Sequence, residues 1–173
     1  MDNRVLVAYA TKYGSTAGIA EKIGEVLGEA GLEADVLPVD KVRDLAPYGA
    51  VVLGSAVYMG QWRKEAGAFL KNNVKALAER PVWLFSSGPT EEGDPRELVE
   101  GWGFPEALKP FADEIQVRDI AIFHGVMPPP EKMKFFDREI MKRIKAPTGD
   151  FRDWEMIADW ARAIAEALKE ETL

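Results

Sequence analysis

Short apolar runs alternate along this sequence with longer segments of helical period, and this alternation constrains the fold more than any other feature. The first run, Arg4–Tyr9 (RVLVAY), is β-branched and apolar on both faces, as expected of a strand that helices cover on both sides of a sheet. Alternation of this kind is typical of βαβ units, which build a parallel sheet. We therefore predict an α/β fold with a doubly wound, five-stranded parallel sheet and helices on both of its faces.

The apolar runs indicate the strands of this sheet. They are Arg4–Tyr9, Leu32–Leu37, Ala50–Gly54, Val82–Ser86 and Ile115–Phe123. The segments of helical period predict helices at Ser15–Ala30, Lys64–Glu79, Pro105–Ala112, Glu131–Lys145 and Trp154–Lys169. A chain of 173 residues is long enough for one buried core and too short for two ordinary domains. We predict that residues 1–173 form a single domain.

Composition excludes several classes of site. The chain has no cysteine, so it holds no disulfide, thiolate zinc site, cysteine-ligated iron–sulfur cluster or thiol nucleophile. No other metal-ligand cluster stands out, so we predict no metal site, and redox chemistry would need a bound cofactor. A net charge of −7 argues against nucleic acid as a partner, because phosphates need a dominant basic face. The first residues enter a strand pattern without the features of a signal peptide, so we expect a cytoplasmic protein.

The loop Thr11–Thr16 (TKYGST) joins the first predicted strand to the first predicted helix, and its residues suit a phosphate. A helix N-terminus offers unpaired backbone N–H groups and the positive end of the helix dipole. Gly14 permits a close approach, while Thr11, Ser15 and Thr16 add hydroxyl donors. This combination predicts a site for a terminal phosphomonoester. The alternative is that the hydroxyl residues serve only as helix caps, where Ser and Thr are preferred.

Motifs for other nucleotides are missing: the chain has no Gly-Lys-Ser/Thr of a P-loop and no G-x-G-x-x-G. The loop instead resembles that of the flavodoxins, which combine an aromatic strand end, a Thr/Ser-x-x-Gly-x-Thr loop and an Ala four residues later. The positions that carry the resemblance are Tyr9, Thr11, Gly14, Thr16, Ala20 and Ile23. Ala8 departs from the family pattern, which has a larger apolar residue there. The resemblance implies FMN as the cofactor and the strand order 2-1-3-4-5, with FMN at the switch point of the sheet.

Two further loops follow the third and fourth predicted strands at the same edge of the sheet. Gly54–Trp62 (GSAVYMGQW) carries Tyr58 and Trp62, whose rings can stack on a flavin, although Trp62 can equally pack at the start of the following helix. Ser86–Asp94 (SSGPTEEGD) offers donors for the polar edge of a flavin, and Gly93 lets the loop turn back. The residues predicted to bind FMN are Thr11, Lys12, Tyr13, Gly14, Ser15, Thr16, Ala56, Val57, Tyr58, Met59, Gly60, Ser86, Ser87, Gly88 and Gly93.

The chain also resembles the menaquinone-dependent protoporphyrinogen IX dehydrogenase group, a flavodoxin-like branch. The likeness lies in Gly54–Trp62 with the Lys64–Lys71 segment after it, in the Lys/Phe/Arg-rich segment after the fifth strand, and in Gly149–Trp160 (GDFRDWEMIADW). It implies an FMN-dependent oxidoreductase that passes electrons from a porphyrinogen to a quinone. Two alternatives stay open: a flavodoxin electron carrier that docks protein redox partners, and a binding module that has lost the flavin.

His124 is the only histidine and follows the fifth predicted strand, within Phe-His-Gly. An imidazole near the cofactor edge can exchange protons with a flavin or a quinone. The alternative is a strand-end histidine that forms a hydrogen bond with a neighbouring loop. The sequence alone leaves both interpretations open.

The segment 131–145 (EKMKFFDREIMKRIK) is basic although the whole chain is acidic. Its cationic residues are Lys132, Lys134, Arg138, Lys142, Arg143 and Lys145, against Glu131, Asp137 and Glu139. An apolar stripe at helical spacing runs through Met133, Phe136, Ile140 and Ile144. We expect the segment either to pack on the sheet as an ordinary surface helix or to dock the electron acceptor. In the second case it contacts an acidic protein or the anionic inner face of a membrane, where a quinone resides.

Overall fold

A parallel sheet runs through the centre of the protein. The computed structural model describes residues 4–99, 102–144 and 148–171. Its strands are β1 Arg4–Ala10, β2 Glu33–Pro38, β3 Ala50–Tyr58, β4 Gln61–Trp62, β5 Val82–Ser87, β6 Ile120–Phe123, β7 Val126–Met127 and β8 Gly149–Asp150. The strands β2-β1-β3-β5-β6 pair in parallel in that order, while β4 folds back on β3. Counted by parallel strands, this is the order 2-1-3-4-5, so the predicted fold is confirmed.

Helices cover both faces of the sheet. They are α1 Ser15–Glu29, α2 Lys64–Asn72, α3 Val74–Ala78, α4 Pro95–Leu98, α5 Lys109–Ile115, α6 Phe135–Ile144 and α7 Trp154–Glu171. Helices α1 and α7 lie over one face, and α2, α3 and α5 lie over the other. Among the described residues, no helix is both long and apolar enough to span a bilayer.

The strand side chains alternate between two apolar cores, one on each face of the sheet. On β1, Leu6 belongs to the core under α2, α3 and α5, whereas Val5 and Val7 belong to the core under α1 and α7. Successive residues of a strand point to opposite faces, so a strand that is covered on both sides is apolar at every position. This burial explains the unbroken apolar run that predicted β1.

Two predicted elements differ from the structure in the second half of the sheet. The strand predicted at Ile115–Phe123 begins only at Ile120, because Ile115 is the last residue of α5. Gln116 adopts the left-handed conformation (φ 59°) and ends that helix, with its N–H bonded to the Asp113 carbonyl at 3.1 Å. The helix predicted at Pro105–Ala112 is a 3-10 turn over Glu106–Leu108 followed by α5. The prediction of a strand over residues 115–119 was therefore wrong.

Two more predicted helices differ from the structure in where they begin or end. The helix predicted at Lys64–Glu79 is interrupted at Asn73, whose Nδ2 donates to the Phe69 carbonyl oxygen at 2.8 Å. Asparagine competes in this way with the backbone hydrogen bonds of a helix. The helix predicted from Glu131 begins at Phe135, after a 3-10 turn at Pro130–Lys132, and Lys145 lies outside the described residues. The strand predicted at Ala50–Gly54 continues to Tyr58 and pairs antiparallel with β4, so most of the predicted loop Gly54–Trp62 is a hairpin. The short antiparallel pair of β7 and β8 was not predicted either.

Gly54 in β3 makes room for an aromatic side chain of the neighbouring strand. It pairs with Phe85 on β5, and a Cβ at this position would lie 2.1 Å from Phe85 Cζ. Phe85 is fully buried, and its ring centroid lies 5.8 Å from that of Phe123 and 6.1 Å from that of Trp160. The absence of a side chain at Gly54 therefore permits this aromatic cluster.

We expect Gly54→Ala to lower the free energy of unfolding by about 3 kcal/mol, because the new methyl group overpacks a close-packed interior. The measurement is urea unfolding followed by tryptophan fluorescence. Gly28→Ala is the matched control: Gly28 lies near the end of α1, where a Cβ would meet open space, and this change should add about 0.5 kcal/mol. Equal effects of the two variants would contradict the packing role of Gly54.

Candidate functional site

The loop between β1 and α1 forms a tight turn at the carboxyl edge of the sheet. Gly14 has φ 91°, which a residue with a side chain adopts only at a cost, and its N–H donates to Thr11 Oγ1 at 2.9 Å. No side chain caps the first turn of α1 in the described chain. The alternative in which the hydroxyl groups act only as helix caps is therefore not seen. The helix N-terminus remains directed at this edge, as anion binding requires.

Thr16 holds a polar atom in the interior beside this loop. Its side chain is fully buried, and among the described residues Oγ1 has no hydrogen-bond partner. A buried hydroxyl without a partner costs about 1–3 kcal/mol. An acceptor brought to the first turn of α1 would satisfy it, so Thr16 fits a ligand that carries an anionic oxygen.

A cavity of about 470 Å³ opens at the same edge, which is within the usual size range of small-molecule sites. The loop after β1 and the carboxyl ends of β3 and β5, with the residues that follow them, contribute to its lining. The predicted site residues in its lining are Lys12, Tyr13, Ser15, Ala56, Val57, Tyr58, Met59, Ser87 and Gly88. Three segments that are far apart in sequence thus meet at one place, as the predicted topology requires.

The other predicted site residues are not part of the lining of this cavity. Thr11 and Gly14 shape the first loop, and Thr16 lies beneath it. Gly60 and Ser86 line a neighbouring cavity of about 330 Å³ together with Trp102. Gly93 lines neither cavity; it has φ 122°, and a Cβ there would lie 3.8 Å from Leu98.

Trp62 lies in the protein interior. It is 7% exposed, its ring meets Phe104 edge-on at a centroid distance of 5.1 Å, and its Nε1 donates to Ser86 Oγ at 2.8 Å. Of its two interpretations, the structure shows the packing one. Ser86 is fully buried and is the acceptor of this hydrogen bond, which ties the end of β5 to β4.

Tyr58 presents its ring to the cavity. The Nζ atom of Lys12 lies 4.5 Å from the ring centroid, a cation–π distance. Burial raises the pKa of the Tyr58 hydroxyl well above its ordinary value, helped by the nearby Tyr13 and Asp137. The hydroxyl therefore stays protonated at neutral pH, and Tyr58 offers an uncharged aromatic face.

The roof of the cavity comes from α6 and the residues just before it, which the sequence did not assign to the site. They are Met133, Phe136, Asp137, Ile140, Met141 and Ile144. Arg63, Thr90, Gly125, Val126 and Met127 complete the lining. The apolar stripe seen in the sequence was the signal that could have assigned α6 to the site. Its residues line the cavity, and no residue of α6 is buried. Packing of α6 on the sheet is therefore not seen.

Asp137 connects this roof to the loop after β1. Its Oδ2 lies 2.5 Å from Lys12 Nζ and accepts a hydrogen bond from the Tyr13 hydroxyl, which itself accepts from the Lys134 N–H at 3.3 Å. Burial raises the pKa of Asp137, but the hydrogen bonds from Lys12 and Tyr13 outweigh it and hold that pKa below its ordinary value. Burial and the bond to Asp137 raise the pKa of Tyr13. The contact therefore joins a carboxylate to an ammonium group and a neutral phenol.

His124 is 5% exposed, and neither of its ring nitrogens has a hydrogen-bond partner among the described residues. It lines neither cavity. The hydrogen bond to a neighbouring loop is therefore not seen, and the imidazole does not reach the cavity wall. Within the same residues, no group of histidine, aspartate and glutamate is arranged to hold a metal ion.

We expect Asp137→Asn to loosen α6, because removing the charge weakens its contacts with Lys12 and Tyr13. Trypsin should then cut at Arg138, Lys142 or Arg143 about tenfold faster, the effect of losing one charge-assisted hydrogen bond of about 1.5 kcal/mol. A carboxyl with a lowered pKa stabilises the fold above the ordinary value of about 3.9 and loses this effect as the pH falls through the lowered pKa. The difference from the wild type should therefore persist at neutral pH and disappear only in acid.

Glu139→Gln is the matched control for this experiment. Glu139 lies on the same helix and pairs with Lys142 at 3.5 Å rather than with the loop after β1. Faster cleavage of this variant to the same extent would mean that charge on α6, and not the Asp137 contact, sets the cleavage rate.

Comparison with known proteins places this architecture in a family. The model of the Flavodoxin domain family matches residues 6–155. The chain is 24% identical over 183 aligned residues to protoporphyrinogen IX dehydrogenase [quinone] from Escherichia coli, and the alignment covers 98% of this chain and 99% of that enzyme.

Solved structures share the fold. A cysteine-to-serine mutant of flavodoxin from Pseudomonas aeruginosa superposes with a TM-score of 0.59 at 18% identity, covering 96% of this chain and 99% of that one. Rubredoxin oxygen:oxidoreductase from Desulfovibrio gigas superposes with a TM-score of 0.64 at 16% identity, and the match covers 98% of this chain but spans only 37% of that longer chain. The sequence match and the shared fold agree, and the chain belongs to the flavodoxin-domain family.

Proposed function

We propose that this protein is an FMN-dependent oxidoreductase that takes electrons from a reduced organic substrate, such as a porphyrinogen, and passes them to a quinone. FMN is the cofactor of the flavodoxin family, to which the chain belongs. The proposal for substrate and acceptor starts from the activity for which the E. coli relative is named. The shape and chemistry of the cavity support it.

The loop after β1 fits the phosphate group of FMN. The first turn of α1 lacks a side-chain cap, Ser15 lines the cavity, and the buried Thr16 hydroxyl has no partner among the described residues. We assign Thr11–Thr16 to the phosphate, with Gly14 allowing the close approach and Thr11 closing the turn. Lys12 is already paired with Asp137, so backbone N–H and hydroxyl groups supply most of the hydrogen bonds.

The carboxyl ends of β3 and β5, with the residues that follow them, fit the flavin ring. We assign Ala56–Met59 to one side of the ring, with Tyr58 as the stacking residue, and Ser87 and Gly88 to its polar edge. Gly60, Ser86 and Gly93 hold the conformations of these two segments. Bound FMN would supply the redox chemistry by accepting a pair of electrons from the reduced substrate and passing them on to the quinone.

The chain's own residues would bind and orient the reactants and exclude water. Met127, Phe136, Ile140 and Met141 form apolar walls in the cavity, which favour a flat apolar molecule over water. Lys12 and Arg63 place positive charge in the same wall, although Asp137 and Glu65 are their respective neighbours. Such cations favour ligands with carboxylate groups.

The roof formed by α6 is the observation that carries the proposal. A flavodoxin that serves only as an electron carrier needs an open cofactor edge against which a protein partner can dock. Here Asp137 holds a helix beside the cavity, and the half-buried Ile140 and Met141 of that helix line it. This arrangement suits a small apolar substrate better than a protein surface.

We expect Thr16→Val to weaken FMN binding about tenfold while leaving riboflavin binding unchanged, because a hydrogen bond to a charged phosphate is worth about 1.5–3 kcal/mol. Titration with each flavin measures both affinities. The cofactor-free variant should be at least as stable as the wild type, since valine replaces a buried hydroxyl that has no partner among the described residues. Equal losses of affinity for FMN and riboflavin, or a less stable variant, would exclude Thr16 from the phosphate site.

We expect the FMN-loaded protein to convert protoporphyrinogen IX to protoporphyrin without oxygen when a short-chain naphthoquinone is the acceptor. Each transfer moves a pair of electrons and a pair of protons from the porphyrinogen to the quinone, which becomes the quinol. Porphyrin fluorescence gives the rate. Ile140→Arg in the roof should slow it by at least about tenfold with FMN content unchanged, because a charge is then buried against an apolar ligand.

Ala68→Arg is the control for this substitution, since Ala68 is an exposed residue of α2 outside the cavity lining. Two results would contradict the proposal. One is the absence of quinone reduction by the FMN-loaded protein. The other is rapid reduction of a haem protein acceptor at the same rate in both arginine variants, which would instead indicate a protein-to-protein electron carrier.

A further inference from the structure

The most exposed large apolar side chains of the described residues surround the mouth of the cavity. Met59 is 90% exposed, Phe136 73%, Phe135 70% and Ile144 62%. Met59, Phe136 and Ile144 also line the cavity, and Phe135 is the first residue of α6. Single exposed apolar residues are common, but a cluster at a functional opening marks a contact surface.

The same surface is basic although the chain as a whole carries a net charge of −7. Lys132, Lys134, Lys142 and Arg143 are exposed there, and Arg138 is half-buried. Of the acidic residues in this segment, Asp137 is occupied by Lys12, and Glu139 pairs with Lys142 at 3.5 Å. Glu131 is the other acidic group, and it is exposed. Positive charge therefore exceeds negative charge on the segment 131–144, which carries three of the four exposed apolar residues.

We propose that this face, made of Met59 and residues 131–144, docks on an anionic lipid bilayer. Apolar side chains flanked by lysine and arginine are the composition of helices that lie in the interface of a membrane. The apolar groups would enter the acyl boundary, and the cations would contact anionic headgroups, each worth about 1 kcal/mol.

Docking in this orientation would connect the cavity with the bilayer interior. Because the residues that would enter the membrane also line the cavity, an apolar molecule dissolved in the bilayer would reach the cavity along apolar surface without crossing water. This consequence rests on the proposed function, in which the acceptor is a quinone. An acidic protein would match the charges as well, but it would have to cover the mouth through which the substrate enters.

The test is flotation of the FMN-loaded protein with vesicles. We expect the wild type to float with vesicles of phosphatidylcholine and phosphatidylglycerol, to bind pure phosphatidylcholine weakly, and to dissociate in high salt. The triple variant Lys132→Glu, Lys142→Glu and Arg143→Glu should lose at least about a hundredfold in partitioning. Phe135→Ser should lose about tenfold, since Phe135 lies outside the cavity lining but contributes apolar area.

A second triple variant, Lys71→Glu, Lys75→Glu and Lys109→Glu, is the matched control. It makes the same change in net charge at exposed residues of α2, α3 and α5, and it should keep wild-type binding. Equal losses in the two triple variants, or a wild type that does not bind anionic vesicles, would overturn the proposal, even if the face binds an acidic protein. If the first triple variant is misfolded, the proposal is tested by Phe135→Ser and by the salt dependence of the wild type. Wild-type vesicle binding by Phe135→Ser, or binding that high salt does not weaken, would then overturn it.

Flotation requires no electron transfer, so this result is separate from the proposed function. Oxidation of the dithionite-reduced protein by a water-soluble naphthoquinone without vesicles tests that function alone. Vesicle binding without quinone reduction would support the docking surface and contradict the proposal that a quinone is the acceptor. The reverse result would keep the oxidoreductase and remove the docking surface.

Discussion

Parallel pairing of the strands places every loop of the candidate site at one edge of the sheet. Because β1, β3 and β5 all run in the same direction, the segments that follow them leave from their carboxyl ends together. The chain order reverses at β1, with β2 on one side and β3 on the other. The loops that diverge from this point leave a crevice between them, so the cavity follows from the topology, and the loop residues determine what it binds.

The roof of the cavity has a different origin, because α6 does not belong to either of the two cores. A ten-residue helix is only marginally stable when isolated in water, so its position depends on contacts outside the helix. The contact of Asp137 with Lys12 and Tyr13 supplies a polar attachment, and Met133 supplies an apolar one as a buried side chain. The loop after β1 and helix α6 are thereby linked through Lys12. A ligand that changes the charge around Lys12 should therefore also change the strength of the contact that holds α6.

The parts that the sequence predicted well are those controlled by local chemistry or by burial on both sides. The strand at Arg4–Tyr9 was recognisable because burial between two helical layers leaves only apolar residues at Val5–Ala8. The position of α6 was not predictable in this way, since periodicity reveals an apolar face but not what that face meets. Trp62 illustrates the same limit. In the sequence, an aromatic residue that stacks on a flavin looks the same as one that packs in the core. Only the contacts of Trp62 with Phe104 and Ser86 in the folded chain distinguish the two.

Buried polar groups without hydrogen-bond partners lower the stability of a fold. Among the described residues, the buried side-chain atoms without a hydrogen-bond partner belong to Thr16, Arg63 and His124, although Arg63 Nε lies 3.4 Å from Glu65. Thr16 lies in the first turn of α1, Arg63 follows β4 and lines the larger cavity, and His124 follows β6 but lines neither cavity. Native interiors rarely leave such atoms unpaired, because each costs about 1–3 kcal/mol. A ligand that offers acceptors to Thr16 and Arg63 would recover part of that free energy, so it would stabilise the fold through the same hydrogen bonds. The unpaired Thr16 hydroxyl lowers the stability of the unliganded protein, and the same hydroxyl would then favour a filled site.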